Sequence, residues 1–188
     1  MATMNANEVT VGASKATGAI FVAPKGTTLP TDATTTLGGS FNLLGFTSDA
    51  GVTISESSSD ETIHAWEGRS NVYTLRTEYT ESVSFTPIQC NGDVAKLIWG
   101  DGKVVATSTT LAVKHHGETL EPVVIAIETT PRTGIVKRYV GTFQLVERGE
   151  SVLDGTQVDA RSLTFNAIPD SSGITMYEYT AFVTGGTS

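Results

Sequence analysis

Cysteine is all but absent from this chain of 188 residues. Cys90 is the single one, so no internal disulfide can form, and its expected role is that of a small buried hydrophobe. No Asn-x-Ser/Thr acceptor occurs either, and nothing calls for an oxidising compartment. Long apolar runs are missing too. The most apolar early stretch, Gly18 to Ala23, is far shorter than the roughly 20 residues that cross a bilayer. Met1 to Thr10 has neither the basic start nor the apolar centre of a signal peptide. A soluble protein made in a cytoplasm is expected. Positive charge is scarce: 12 Lys and Arg face 20 Asp and Glu, a net charge of -8. That balance argues against wrapping a nucleic acid, because phosphate binding draws its affinity from clustered cations that release counterions. Between Gly26 and Gly68 there is no Lys or Arg at all, while Asp32, Asp49, Glu56, Asp60, Glu61 and Glu67 lie there.

The patterns of catalysis are also lacking. There is no Gly-x-Ser-x-Gly turn, and Gly38-Gly39-Ser40 has neither the spacing nor a following helix. Gly100-Asp101-Gly102-Lys103 lacks the spacer and the hydroxyl of a phosphate loop. His115 and His116 are adjacent and point to opposite faces of a strand, so they do not share one metal. Asp60 and Glu61 diverge in the same way, without the spaced carboxylates of a calcium loop. His64 sits among acids, where a pH-sensitive contact competes with an ordinary surface histidine. No catalytic residue, metal or cofactor is expected.

What is present reads as strand. Thr, Ser, Val and Gly dominate, and β-forming runs are punctuated by turn residues, the pattern of an all-β sandwich or barrel of about eight strands. Tyr73 to Thr86 alternates without a Gly, Pro, Asn or Asp to break it: Tyr73, Leu75, Thr77, Tyr79, Glu81, Val83 and Phe85, mostly bulky, against Thr74, Arg76, Glu78, Thr80, Ser82, Ser84 and Thr86, all polar. One long strand with a buried face and a wet face is expected, bent near Glu81. Tyr139, Phe143 and Leu145 against Arg138, Thr142 and Gln144, and Leu163, Phe165 and Ala167 against Ser162, Thr164 and Asn166, repeat the design. Further strands are expected at Glu8 to Gly12, Ala19 to Ala23, Gly51 to Ser55, Lys103 to Thr110, Pro122 to Glu128 and Thr175 to Val183, the last as a central strand. One helix is legible: Asn91 as N-cap, Asp93 in the first turn, an apolar stripe of Val94, Leu97, Ile98 and Trp99, and Gly100 as its end. The length fits one domain, residues 1–188, with an N-terminal arm over 1–17, an extended loop over 46–71 and a flexible C-terminus over 184–188. Ser55 to Glu61 in that loop is too polar to offset its own ordering entropy, which predicts mobility in a lone subunit. Val52, Ile54, Ile63 and Trp66 flank it as apolar anchors, which predicts an arm that orders on docking.

Several stretches together resemble the major tail tube proteins of siphophages. They are Val9-Thr10-Val11-Gly12, the run from Thr17 to Asp32 containing Ala23-Pro24-Lys25-Gly26-Thr27-Thr28-Leu29-Pro30, Leu44-Gly45-Phe46, Asp49 to Ile54, Ile63 to Gly68, Ser82 to Thr86 and Phe165 to Asp170. Ala50 stands where the family pattern has an acid, and no immunoglobulin-like appendage is expected after the last strand. The resemblance implies a β-sandwich of the tail tube type with one flanking helix, whose inner sheet joins its neighbours in a closed β-barrel ring. Hexameric rings would stack into a tube carrying the genome, in the tail of the virion. Thr74, Arg76, Glu78, Thr80, Ser82, Ser84, Thr142, Gln144, Thr164 and Asn166 would line its lumen, with Arg76 and Arg138 the awkward members. The loop over 46–71 would be an inter-ring arm using Val52, Ile54, Glu56, Asp60, Glu61, Ile63 and Trp66, its acids meeting Arg132, Lys137 or Arg138 of the next copy. Disorder of that arm would delay polymerisation. Implied partners are further copies, a tape measure protein, a tail terminator and a distal tail protein; DNA would pass without specific binding, and no membrane is involved. Competing readings are the inner tube of a contractile injection or secretion system and a carbohydrate-binding β-sandwich.

Overall fold

The computed structural model describes residues 12–14, 18–130, 135–156 and 158–182. The expected strand at Glu8 to Gly12, nearly all of the N-terminal arm, Arg132 and the C-terminus over 184–188 lie outside them. The described elements are β1 (Ile20–Pro24), β2 (Asn42–Leu43), β3 (Thr47–His64), β4 (Asn71–Pro87), α1 (Gly92–Trp99), β5 (Val104–Ala106), β6 (Leu111–Val113), β7 (Val123–Thr129), β8 (Ile135–Arg148), β9 (Leu163–Ile168) and β10 (Met176–Phe182). The chain is therefore all-β with one short helix, as its composition implies.

Eight strands make one antiparallel sheet in the order β2-β1-β7-β8-β9-β4-β3, with β10 also on β8. β8 carries two strands end to end along one edge, β10 against Ile135 to Gly141 and β9 against Thr142 to Arg148. At that junction a glycine is required, because a Cβ on Gly141 would meet the Thr175 carbonyl oxygen at 2.8 Å.

Alternation gives the sheet two distinct faces. On the first, Ile20, Val83, Phe85, Ile125, Ile127, Phe143, Leu163 and Phe165 form the main core together with Val94 and Leu97 of α1. Phe85 and Phe165 stack with ring centroids 5.4 Å apart. α1 starts as its sequence demands: the Val94 N–H donates to the Asn91 side-chain oxygen at 2.8 Å, and Gly100 ends it at φ 83°. The paired β5 and β6 pack beyond α1, with Val104 buried. On the second face, Ala23, Val124, Ala126 and Val140 are covered by Leu29, Leu37 and Phe41 of the segment following β1.

Several expectations are corrected. The loop over 46–71 is mostly strand: β3 pairs with β4 along nearly its whole length, and Ser55 to Glu61 is all paired. Its serines and acids are weak strand formers alone, but β4 supplies a hydrogen-bonded template. The bend foreseen near Glu81 lies at Thr77, where the register steps from Ser59 opposite Glu78 to Asp60 opposite Arg76. Lys103 to Thr110 is not one strand, because the Thr107 hydroxyl accepts from the Thr109 and Thr110 N–H groups and turns the chain from β5 into β6. β10 is half-exposed and pairs only with β8 among the described residues, so it is not central. Cys90 is exposed rather than buried.

Candidate functional site

The part of the second face that no described segment covers with apolar side chains lies on β3, β4, β9 and the C-terminal half of β8, where Ser82, Ser84, Gln144, Thr164 and Asn166 are half-buried in the single subunit. Register aligns two rows across these four strands: Ser55, Ser82, Asn166 and Gln144 in one, Thr53, Ser84, Thr164 and Glu147 in the other. The Ser84 hydroxyl donates to Thr164 Oγ1 at 3.2 Å, and the Gln144 amide donates to the Leu120 carbonyl at 2.7 Å. Alternation puts Thr80 and Thr142 on the same side. Neither row contains a Lys or Arg, so the surface offers hydroxyls, amides and one carboxylate, with no cation to hold a polyanion.

Arg138 also belongs to this face but is sequestered. It is 2% exposed, pairs with Glu128 at 2.5 Å, and donates to the carbonyls of Asp32 at 2.6 Å and Thr35 at 2.7 Å. It straps the covering segment to β8 and cannot reach a neighbouring copy, contrary to the expectation that it meets an acidic arm. Lys137 is engaged by Glu178 at 2.8 Å, and that hydrogen bond raises its pKa above the ordinary lysine value.

The hairpin of β3 and β4 is the second feature. Val52 and Ile54 pack on the subunit's own core, and Glu56 stands opposite Glu81, which is buried and accepts from the Thr175 hydroxyl at 2.5 Å. Beyond Tyr79 both strands leave the sheet, and every residue from Glu56 to His64 and from Asn71 to Tyr79 is exposed. Over nine residues the projection reaches about 30 Å. At its tip the Ala65 N–H donates to the Ser70 carbonyl at 2.8 Å, Arg69 adopts φ 51°, and Trp66 is 95% exposed. His64 Nδ1 lies 3.2 Å from the Arg69 carbonyl.

The Thr77 bulge changes which side chains share a face. β4 spends one extra residue there while β3 keeps its alternation, so everything beyond it on β4 is inverted relative to the body. Thr74 and Arg76 consequently leave the side of Ser82 and Ser84, with Glu78 at the bulge, and Arg76 Nε pairs with Asp60 at 3.3 Å. In their place Leu75 opposite Glu61, and Tyr73 opposite Ile63, come onto the second face. The unbroken alternation of Tyr73 to Thr86 concealed this exchange.

Val94, Leu97 and Ile98 face the core, and Ala95, not foreseen, is buried with them. Trp99 is instead sandwiched, stacking on His115 with centroids 3.9 Å apart and carrying the Arg148 guanidinium 4.9 Å from its centroid. His116 Nε2 lies 2.6 Å from the Trp99 carbonyl. A cavity of about 770 Å³ opens between the start of β3 and β1, β7 and β8, lined among others by Ile20, Val52, Ile127 and Tyr139. Lys137, its one cation among the described residues, is already paired. Among the described residues no three His, Cys, Asp or Glu side chains are placed to hold a metal ion, and no helix is long and apolar enough to cross a membrane.

No curated protein matches the chain. A family model described as phage tail tube protein matches residues 2–170. The sheet with its uncovered polar face, the projecting hairpin and this match over most of the chain agree: the chain belongs to the phage tail tube protein family.

Proposed function

We propose that this structural subunit builds a long non-contractile tail, forming hexameric rings that stack into a conduit for the genome. The observation that carries the reading is the uncovered polar face of β3, β4, β9 and β8. A sheet face whose two aligned rows hold only hydroxyls, amides and a carboxylate, with no cation, suits a wet bore. Thr80, Ser82, Ser84, Thr142, Gln144, Thr164 and Asn166 line it. DNA carries about one negative charge per 1.7 Å, and a basic wall would hold it by counterion release. Hydroxyls, amides and scattered carboxylates let it slide, so the mechanism is passive and catalyses nothing.

Ring closure follows from the sheet's edges. β3 pairs only with β4, and β10 only with β8, among the described residues. Open edges favour further pairing, and a heterologous contact that closes on itself removes them. The hairpin then reaches the next ring through Ile63 and Trp66, with Glu56, Asp60 and Glu61 setting its charge. A tape measure protein would occupy the bore during growth, with a terminator and a distal tail protein at the two ends.

Negative-stain microscopy of concentrated purified protein tests this. Hollow tubes or six-fold rings are expected; a persistent monomer that binds sugar would overturn it.

A further inference from the structure

Two unpartnered two-stranded surfaces complement one another, and the fold keeps them apart within a subunit. The first is the second face of the distal hairpin, where the Thr77 bulge places Glu61 beside Leu75 and Ile63 beside Tyr73. All four are exposed, the three apolar ones by 45% to 58%. The second is the outer face of β5 and β6. Val105 pairs with Ala112 there, and the Lys114 N–H donates to the Lys103 carbonyl at the next step. Alternation therefore sets Val105, Ala112 and Lys114 on one side, with Lys103, the last residue of the 3-10 turn Asp101–Lys103, beside Lys114, while Val104 on the other is buried. Lys103 meets Glu118 at 3.4 Å, and Lys114 has no ion-pair partner among the described residues.

Val94 and Leu97 of α1 belong to the core of the first face, which includes Val83 and Phe85, and β5 and β6 contact α1. The bulge turns the hairpin's apolar stripe toward the second face. Were the alternation of β4 unbroken, Tyr73 and Leu75 would continue the core side of their own subunit. With the bulge, the stripe points away from its own β5 and β6, so the two surfaces can meet only between copies, in a head-to-tail contact. Charge agrees: the stretch from Phe46 to Pro87 holds seven carboxylates and two arginines, whereas the β5 and β6 face presents Lys114, with Lys103 beside it already met by Glu118.

We infer that the distal hairpin of one copy docks, through Glu61, Ile63, Tyr73 and Leu75, on the Lys103, Val105, Ala112 and Lys114 face of a second copy. This rests on the tail tube reading and names the receiving surface of the inter-ring contact. Ile63 and Tyr73 cover Val105 and Ala112, while Glu61 meets Lys114.

The test mixes two singly substituted chains, Tyr73→Cys and Val105→Cys, each also carrying Cys90→Ser, and oxidises them after assembly. A disulfide-linked pair of twice the chain mass is expected in tubes and not in monomers. Well-formed tubes with no such pair overturn the inference. If the cysteine variants do not assemble, charge reversal decides. Lys114→Glu or Glu61→Lys alone should lower the pelletable tube fraction at least tenfold at low salt, and the double variant should restore it. Unchanged assembly by both single variants overturns the docking. If the unaltered protein forms no tubes under any condition, it is the tail tube reading that fails.

Discussion

Arg138 shows how one side chain fixes a large part of the fold. Its guanidinium is buried, paired with Glu128, and saturated by two carbonyls of the covering segment. Removing one partner of such a pair strands the other charge, at a cost of about 3–5 kcal/mol. Arg138→Ala should lower unfolding free energy by that amount in denaturant titrations and free the segment over residues 25–41 to exchange its amides. Phe165→Ala, which empties the stack on Phe85, should cost about 3–5 kcal/mol by the same measurement. Asp170 adds a pH dependence. The Tyr177 hydroxyl and the N–H groups of Ile174 and Ser172 hold its carboxyl below the usual value. A carboxyl depressed in the folded state contributes stability that is full above its unfolded pKa of about 3.9 and lost as pH falls through the folded value. Thermal melts of the native protein should therefore decline, as pH falls below about 4, more steeply than those of Asp170→Asn.

The long hairpin separates what residue pattern conveys from what it conceals. The core-facing alternation of Val83 and Phe85 and the capping of α1 by Asn91 were legible, because each depends on neighbours in sequence. The polar rows were legible in composition, since Ser82, Thr164 and Asn166 alternate with bulky residues. β3 was not, because its serines and acids form a strand only through pairing with β4. A hairpin already paired in the lone chain has no ordering entropy of that kind to delay assembly. The Thr77 bulge has no Gly or Pro to mark it, and Arg138 looked like a free cation because its partners lie 10 to 106 residues away. Deleting Thr77 should restore plain alternation and carry Tyr73 and Leu75 to the other face. The variant is expected to melt within a few degrees of the native protein, since the core ends before the bulge, yet to form no tubes in the electron microscope. Replacing residues 58–79 by a two-residue Asn-Gly turn, which keeps Ser57 opposite Thr80, should do the same.

For the assembled protein, the account depends on where the polar rows point. A bore walled by Ser55, Ser82, Asn166 and Gln144 is indifferent to DNA, and a cationic wall would not be. The double variant Ser82→Lys, Asn166→Lys should still assemble, yet retain added single- or double-stranded DNA in a salt-dependent way, with binding that falls as salt rises. The most direct measurement is a helical reconstruction of the native tube by electron cryo-microscopy at side-chain resolution. The account expects the Ser82 and Asn166 row on the luminal surface, continuous from copy to copy around a closed ring. A reconstruction with that row facing the outside of the tube, or with lysines and arginines lining the bore, would contradict it.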